Sequence, residues 1–155
     1  MLGWIDVLYY ARYSNPEPPR RVDRGEEEWR QVLTAAQYHV MREKGTEKAF
    51  RNAYCRSYDP GVYACRGCGS KLFSSSTRYR SLSGWPSFSQ PFTKAAVKYA
   101  FDDSHHMQRI EAMCNVCDCH LGHVFAHGPE PAGLRYCINS ESIVLLPETA
   151  DQNEE

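Results

Sequence analysis

Cys114-Asn115-Val116-Cys117-Asp118-Cys119-His120-Leu121-Gly122-His123-Val124-Phe125 decides how the rest of this chain reads. A Cys-x-x-Cys pair opens the stretch, and apolar, β-prone residues close it. It therefore reads as a tight turn delivering two thiols and then a strand over Gly122–Ala126. The pair has a counterpart upstream, Cys65-Arg66-Gly67-Cys68-Gly69. Two such knuckles complete a tetrahedral shell of four thiolates, which is closed, therefore structural, and suited to zinc. Gly67 and Gly69 supply the backbone freedom that such a turn needs. A redox Cys-x-x-Cys is the competing reading, but two of them at strand ends favour metal. Cys119 and the imidazoles of His120 and His123 are further possible ligands. The symmetric set Cys65, Cys68, Cys114 and Cys117 is preferred, because each knuckle contributes one turn and two sulfurs. A zinc hydrolase needs an open coordination position, and four thiolates leave none.

Working outward, short segments rich in aromatic and β-branched residues read as further strands: Gly61–Cys65, Ala96–Phe101, Arg109–Met113 and Leu134–Leu146. Two helices precede them. Asp23 followed by Glu26 has capping-box spacing and predicts a helix over Arg24–Val32. Thr34 followed by Gln37 predicts a second over Ala35–Lys44, ending at Gly45. Trp29, Val32, Leu33, Ala36 and Val40 supply one apolar stripe across the pair. Residues 1–23, with Pro16, Pro18 and Pro19, are expected to be an irregular tail. Residues 24–148 form the domain, and 149–155 are a polar C-terminal tail. The fold class is mainly β (α+β), an antiparallel sheet protein with helices at its front.

The chain has 155 residues, 42% hydrophobic and 24% charged, with a formal net charge of −1. Such a balance calls for neither nucleic acid nor membrane as partner. Asp6 interrupts the apolar N-terminus and no basic region precedes it, against a secretory signal. A cytoplasmic monomer is expected, with Arg12, Arg20 and Arg21 leaving organelle targeting open. Seven cysteines, an odd number, suit an intracellular metal site with thiols left over rather than a disulfide framework.

One leftover thiol lies in Arg135-Tyr136-Cys137-Ile138-Asn139. On a strand, Arg135, Cys137 and Asn139 share a face. The guanidinium favours the thiolate there and makes Cys137 a candidate nucleophile. A buried structural cysteine is the competing reading. His120 and His123 can supply protons near neutral pH. Gly84-Trp85-Pro86-Ser87-Phe88 holds an indole rigidly, as one wall of a pocket would.

Together, Trp85-Pro86-Ser87-Phe88, His120-Leu121-Gly122-His123-Val124-Phe125 and Arg135-Tyr136-Cys137-Ile138-Asn139-Ser140 resemble the methionine sulfoxide reductase B family. Gly45-Thr46-Glu47, Gly61-Val62-Tyr63 and Cys68-Gly69 fit the same pattern. The resemblance covers about residues 26–147, and both knuckles mark the zinc-containing form. It implies two antiparallel sheets in a β-tent-like core behind short N-terminal helices, one structural zinc and no organic cofactor. The implied substrate is the R epimer of methionine sulfoxide, in oxidised proteins and also free. Cys137 is then the nucleophile and Trp85 packs on the substrate methyl group. His120, His123, Arg135, Asn139 and Phe125 line the site. His105 matches a family histidine, at the pocket rim or in a purely structural role. The thiolate would attack sulfur while His120, His123 or a water protonates the oxygen, leaving a sulfenic acid. There is one departure. Ser83 stands where the family often has a resolving cysteine, so Cys55, Cys119, or thioredoxin, glutathione or another external thiol must regenerate the enzyme. Cys55 is placed first. A zinc-stabilised binding module is the rival class. It would need the knuckles but not the strand around Cys137.

Overall fold

The strands sort into two antiparallel sheets in the computed structural model, which describes residues 1–148; the expected C-terminal tail, 149–155, lies outside the described residues. Sheet one is three-stranded, with β1 (Gly61–Cys65) between β2 (Lys71–Ser74) and β9 (Ile143–Pro147). Sheet two has six strands. Its first three are β3 (Arg78–Tyr79), β4 (Ser87–Phe88) and β8 (Arg135–Ile138). They continue into β7 (His120–Phe125), β6 (Arg109–Cys114) and β5 (Val97–Asp102).

The single strand expected over Leu134–Leu146 is two strands in different sheets. Between them lies Asn139-Ser140-Glu141-Ser142, of which Asn139 and Ser142 bond through their side chains to the β7 backbone. Asn139 Nδ2 donates to the Leu121 carbonyl at 3.0 Å and Ser142 Oγ to that of His120 at 2.9 Å. These bonds dock the segment on β7, and a 3-10 turn over Ser140–Ser142 carries the chain from one sheet to the other.

Alternation along the strands gives sheet two distinct faces. The inner row Phe101–Ile110–Val124–Tyr136 runs across β5, β6, β7 and β8. Near β4 this face packs on sheet one through aromatic rings. Phe73 stacks on Phe88 at 4.5 Å, and Tyr63 meets Phe88 edge-on at 5.1 Å. The Tyr99 and Tyr136 hydroxyls meet at 2.6 Å, so neither is buried unpaired.

At the β5 end the inner face is closed by a helix that corrects the reading of residues 1–23 as an irregular tail. Helix α1 spans Trp4–Arg12, with the Gly3 amide donating to Asp6 Oδ2 at 2.8 Å. The prolines responsible for that reading all fall after it. Val7 is fully buried, and Tyr10 stacks on Tyr99 at 5.9 Å. Asn15 pairs with both backbone groups of Tyr99, at 3.0 and 2.8 Å.

Helices α2 (Glu26–Val32) and α3 (Ala35–Arg42) follow. The Thr34–Gln37 capping box is formed. The Asp23 cap is not: Gly25 is the N-cap, and Asp23 accepts instead from Arg21 at 3.3 Å. Of the expected stripe, Trp29, Leu33 and Val40 are buried, while Val32 and Ala36 are exposed. After α3, Lys44 takes the left-handed turn (φ 57°) expected of Gly45. The Gly45 amide returns to the His39 carbonyl at 2.9 Å. Among the described residues, no helix is long and apolar enough to cross a membrane.

The docking of α1 makes a testable contrast. Val7→Ala should destabilise the protein by about 1–3 kcal/mol, whereas Ile5→Ala on the exposed side should stay within about 0.5 kcal/mol. Urea unfolding of both variants checks this, and equal effects would mean that α1 is not docked.

Candidate active site

The outer face of sheet two carries the polar row Glu111–His123–Cys137–Ser87, four directly paired residues on β6, β7, β8 and β4. Directly paired side chains stand with Cβ atoms about 4.5–5.5 Å apart, so His123 and Ser87 flank the Cys137 thiol. His120 joins the same face by a β-bulge. Ala112 pairs with Gly122 but Met113 pairs with His120, leaving Leu121 as the extra residue. Residues three apart on a regular strand face opposite ways, and the bulge cancels that. The two imidazole rings lie 5.5 Å apart. Gly122 permits this close packing, since a Cβ there would fall 2.0 Å from the Cys137 carbonyl oxygen.

Each imidazole is held by a carboxylate. His120 Nδ1 is 2.8 Å from Glu111 Oε2, and His123 Nε2 is 2.7 Å from Asp102 Oδ2. Burial works against both acids. Even so, the His123 and Ser104 hydrogen bonds and the charge of Lys44 hold Asp102 well below the usual carboxylate range. The His120 hydrogen bond and the Lys44 ammonium, 3.2 Å from Glu111 Oε1, hold Glu111 down as well. Burial lowers the pKa of His123 despite Asp102. The pair at neutral pH is thus a neutral imidazole donating to an ionised carboxylate. His105, His120 and His123 line a common cavity of about 230 Å³ with Lys44, Thr46 and Arg109.

Cys137 is half-buried. Burial pushes its thiol up; Arg135 and a hydrogen bond with Ser83 pull it down, and Glu47 adds to the rise. The guanidinium acts in the direction expected from the sequence, but desolvation outweighs it, and the resting group is a thiol. Arg135 also lies 4.5 Å above the Phe125 ring, its cross-strand partner. Trp85 is placed by two bonds. Its Nε1 donates to the Glu47 carbonyl at 3.1 Å, and the adjacent Pro86 carbonyl accepts from the Ile138 amide at 3.0 Å. Glu47 also gives its amide to Asn139 Oδ1 (3.1 Å) and takes that of Glu141 on Oε1 (2.8 Å). Glu47 Oε2 and His120 Nε2 are buried without a partner among the described residues.

Where β1 and β6 end, the sulfurs of Cys65, Cys68, Cys114 and Cys117 lie within 4.8 Å of one another. The closest pairs, Cys65–Cys117 and Cys68–Cys114, are both at 3.6 Å. The residue after each knuckle is left-handed, Gly69 (φ 80°) and Asp118 (φ 64°). Arg21 clamps Asp118 at 2.6 and 3.0 Å. Cys119 is fully buried beside this group, its sulfur 3.8 Å from Arg42 Nη1, and stands outside it.

A SelR domain matches residues 33–147. A peptide methionine sulfoxide reductase MsrB of Cellvibrio japonicus is 56% identical over 117 residues, 76% of this chain and 84% of the relative. Those of Saccharophagus degradans (55% over 126 residues, 81% and 94%) and Methanosarcina mazei (48% over 128 residues, 83% and 91%) are similar to it over comparable lengths. The chain belongs to the methionine sulfoxide reductase B family.

Within this family frame, Ser83 occupies the position often held by a resolving cysteine, hydrogen-bonded to Cys137 and to Ser81 Oγ at 2.8 Å. Cys55 lines a separate cavity of about 330 Å³ with Leu82, Gly84 and Trp85. Its sulfur donates to the Asn52 carbonyl at 3.4 Å. Sequence reading overlooked Asp102, Glu111 and the part played by Glu47. Arg109 and Glu111, two charges alternating on an otherwise apolar strand, were the available signal for a buried polar face.

The balance of burial against charge sets a pH dependence. Alkylation of Cys137 by iodoacetamide should have its midpoint above the ordinary cysteine value. Arg135→Ala should move it higher and Glu47→Gln lower. Rate against pH, read by peptide mass spectrometry, checks this; a midpoint below that of free cysteine would contradict it.

Proposed function

We propose that this protein reduces the R epimer of methionine sulfoxide, chiefly in polypeptides, with Cys137 as the nucleophile. The observation that carries the reading is the placement of a half-buried thiol directly across the ladder from a neutral, carboxylate-anchored imidazole. His123 Nε2 donates to Asp102, so Nδ1 is free to take the Cys137 proton and pass it to the sulfoxide oxygen. The sulfur–sulfur attack then needs no outside acid: thiol and sulfoxide become sulfenic acid and thioether, with the oxygen moving from substrate to Cys137. His123 is favoured over His120 in this role because it is the cross-strand partner of Cys137, whereas His120 pairs with Met113.

Epimer choice follows from asymmetry. The Trp85 indole offers an apolar wall to the methyl group. The imidazoles and His105 offer polar atoms to the oxygen, Phe125 and Arg135 close the lining, and Asn139, expected to line the site, instead supports it through its bonds to Glu47 and Leu121. Regeneration joins a second thiol to the Cys137 sulfur with loss of water, and a further thiol releases it. Thioredoxin or another external thiol serves here, with Cys55 as the internal candidate. Turnover of separated epimers is the direct test: the R form alone should be consumed, and Cys137→Ser should abolish it. Equal use of both epimers would refute the asymmetry, and activity in Cys137→Ser would refute the nucleophile. After one turnover without reductant, wild-type Cys137 should carry one added oxygen. In Ser83→Cys the introduced thiol should instead form a disulfide with Cys137.

We assign zinc to Cys65, Cys68, Cys114 and Cys117. Tetrahedral Zn–S bonds of about 2.3 Å place sulfurs roughly 3.8 Å apart, close to the 3.6 Å of the nearest pairs. Four ligands close the shell, so the ion stabilises the fold and takes no part in turnover. Cys114→Ser should lose the metal and lower Tm, read by elemental analysis and thermal unfolding. Retention of stoichiometric metal would exclude this ligand set.

A further inference from the structure

A cavity of about 600 Å³, larger than the imidazole pocket, lies apart from it. It lies against the inner face of sheet two, where α1 meets the ends of β5, β6 and β7. Trp4 and Leu8 form one wall; Phe101, Ile110 and Val124 form the other. Its volume falls within the range of small-ligand sites. Phe101 is 57% exposed there, an apolar ring turned outward rather than packed. Asp103, Gln108 and His127 supply a polar rim.

The cavity adjoins the site already described. Asp102 and Arg109 line both this cavity and the imidazole pocket. Phe125 lines it too, with its ring 6.4 Å from that of His123. A single layer of strand ends therefore separates the two. Extended chain advances about 3.3 Å per residue, so a few residues suffice to cross that layer.

We propose that this cavity is a substrate subsite that receives a bulky apolar side chain carried a few residues from the oxidised methionine. Its occupant is the substrate polypeptide, with the apolar walls taking the side chain and the rim bonding the adjoining backbone. The inference rests on the reductase reading above and adds to it a preference in sequence. One wall is α1, residues 4–12, which lies outside the span matched by the SelR domain. The preference is accordingly a property of this chain's own N-terminal segment.

The test compares peptides of equal length that differ only in Phe or Ser at each of the four positions on either side of one methionine-R-sulfoxide. N-acetyl-methionine-R-sulfoxide serves as the small reference substrate. At one or more positions, wild type should favour Phe over Ser by about tenfold in kcat/KM, the scale of burying one such side chain. Trp4→Ala should bring that ratio towards unity. Phe101→Ser, at an exposed position that the fold does not require, should do the same. The ratio is the readout because a loosened fold lowers both peptides alike. A wild type without preference, or a preference surviving both variants, overturns the subsite while leaving the reductase reading intact. A shift of Trp4→Ala in sedimentation with an unchanged ratio also overturns it, because the cavity would then hold a second copy of the chain. No turnover of the reference substrate by wild type takes down both readings.

Discussion

The row Glu111–His123–Cys137–Ser87 is aligned by backbone ladder pairing, and every other feature of the site depends on its register. A slip of one residue in any of the four strands would turn that strand's member of the row into the aromatic interior. The interior makes such a slip costly. The next row, Ile110–Val124–Tyr136–Phe88, is buried and would have to leave the core at the same time. Packing on one face of the sheet thus sets the chemistry on the other. The bulge at Leu121 is the one local exception, and it adds His120 to the row without disturbing the strands beyond it.

Within that frame, burial and charge oppose each other, and burial wins at the sulfur. A thiolate at rest would be a better nucleophile but also a better target for indiscriminate oxidants. In the reaction proposed above, a Cys137 kept protonated at rest would be activated only by a bound substrate whose oxygen can take the proton. The carboxylates serve the same end. Asp102 and Glu111 stay ionised although buried, because each has an imidazole partner and a cation close by. Their cost is offset by fixing which ring nitrogen faces the thiol. An acid–base pair held this way needs little reorganisation when the substrate arrives.

Much of this was legible in the sequence, and for identifiable reasons. The knuckles, β1 and the α3 cap announce themselves through local spacing, and local spacing survives folding. Trp85 and Cys137 were legible as a motif, although the motif says nothing of Ser83 touching the sulfur. The acids that anchor the histidines were not legible. Asp102 and Glu111 are far from their partners in the chain, and only strand register unites them. Helix α1 was missed because three prolines just beyond it coloured the whole segment. Its amphipathic face is readable only once the open end of sheet two is known to need a cover. The split of Leu134–Leu146 was missed for a related reason, since an apolar pattern does not record which sheet each half joins.

The thiol cluster bears on the same register from the opposite side. Cys114 ends β6, Cys117 sits in the turn, and His120 begins β7, so the second knuckle is the hairpin that sets how β6 and β7 pair. Within it, the Cys114 amide donates to the Cys119 carbonyl at 2.9 Å and the Asp118 amide to the Cys114 carbonyl at 2.8 Å. The first knuckle ends β1 in the other sheet. Sulfurs carried by both sheets therefore meet at one end, where the zinc proposed above would tie the sheets together, and the bulge begins three residues beyond that point. Such a tie would act on the imidazoles through geometry. It would anchor the turn from which His120 and His123 are measured out, and their common face follows from where that turn is pinned.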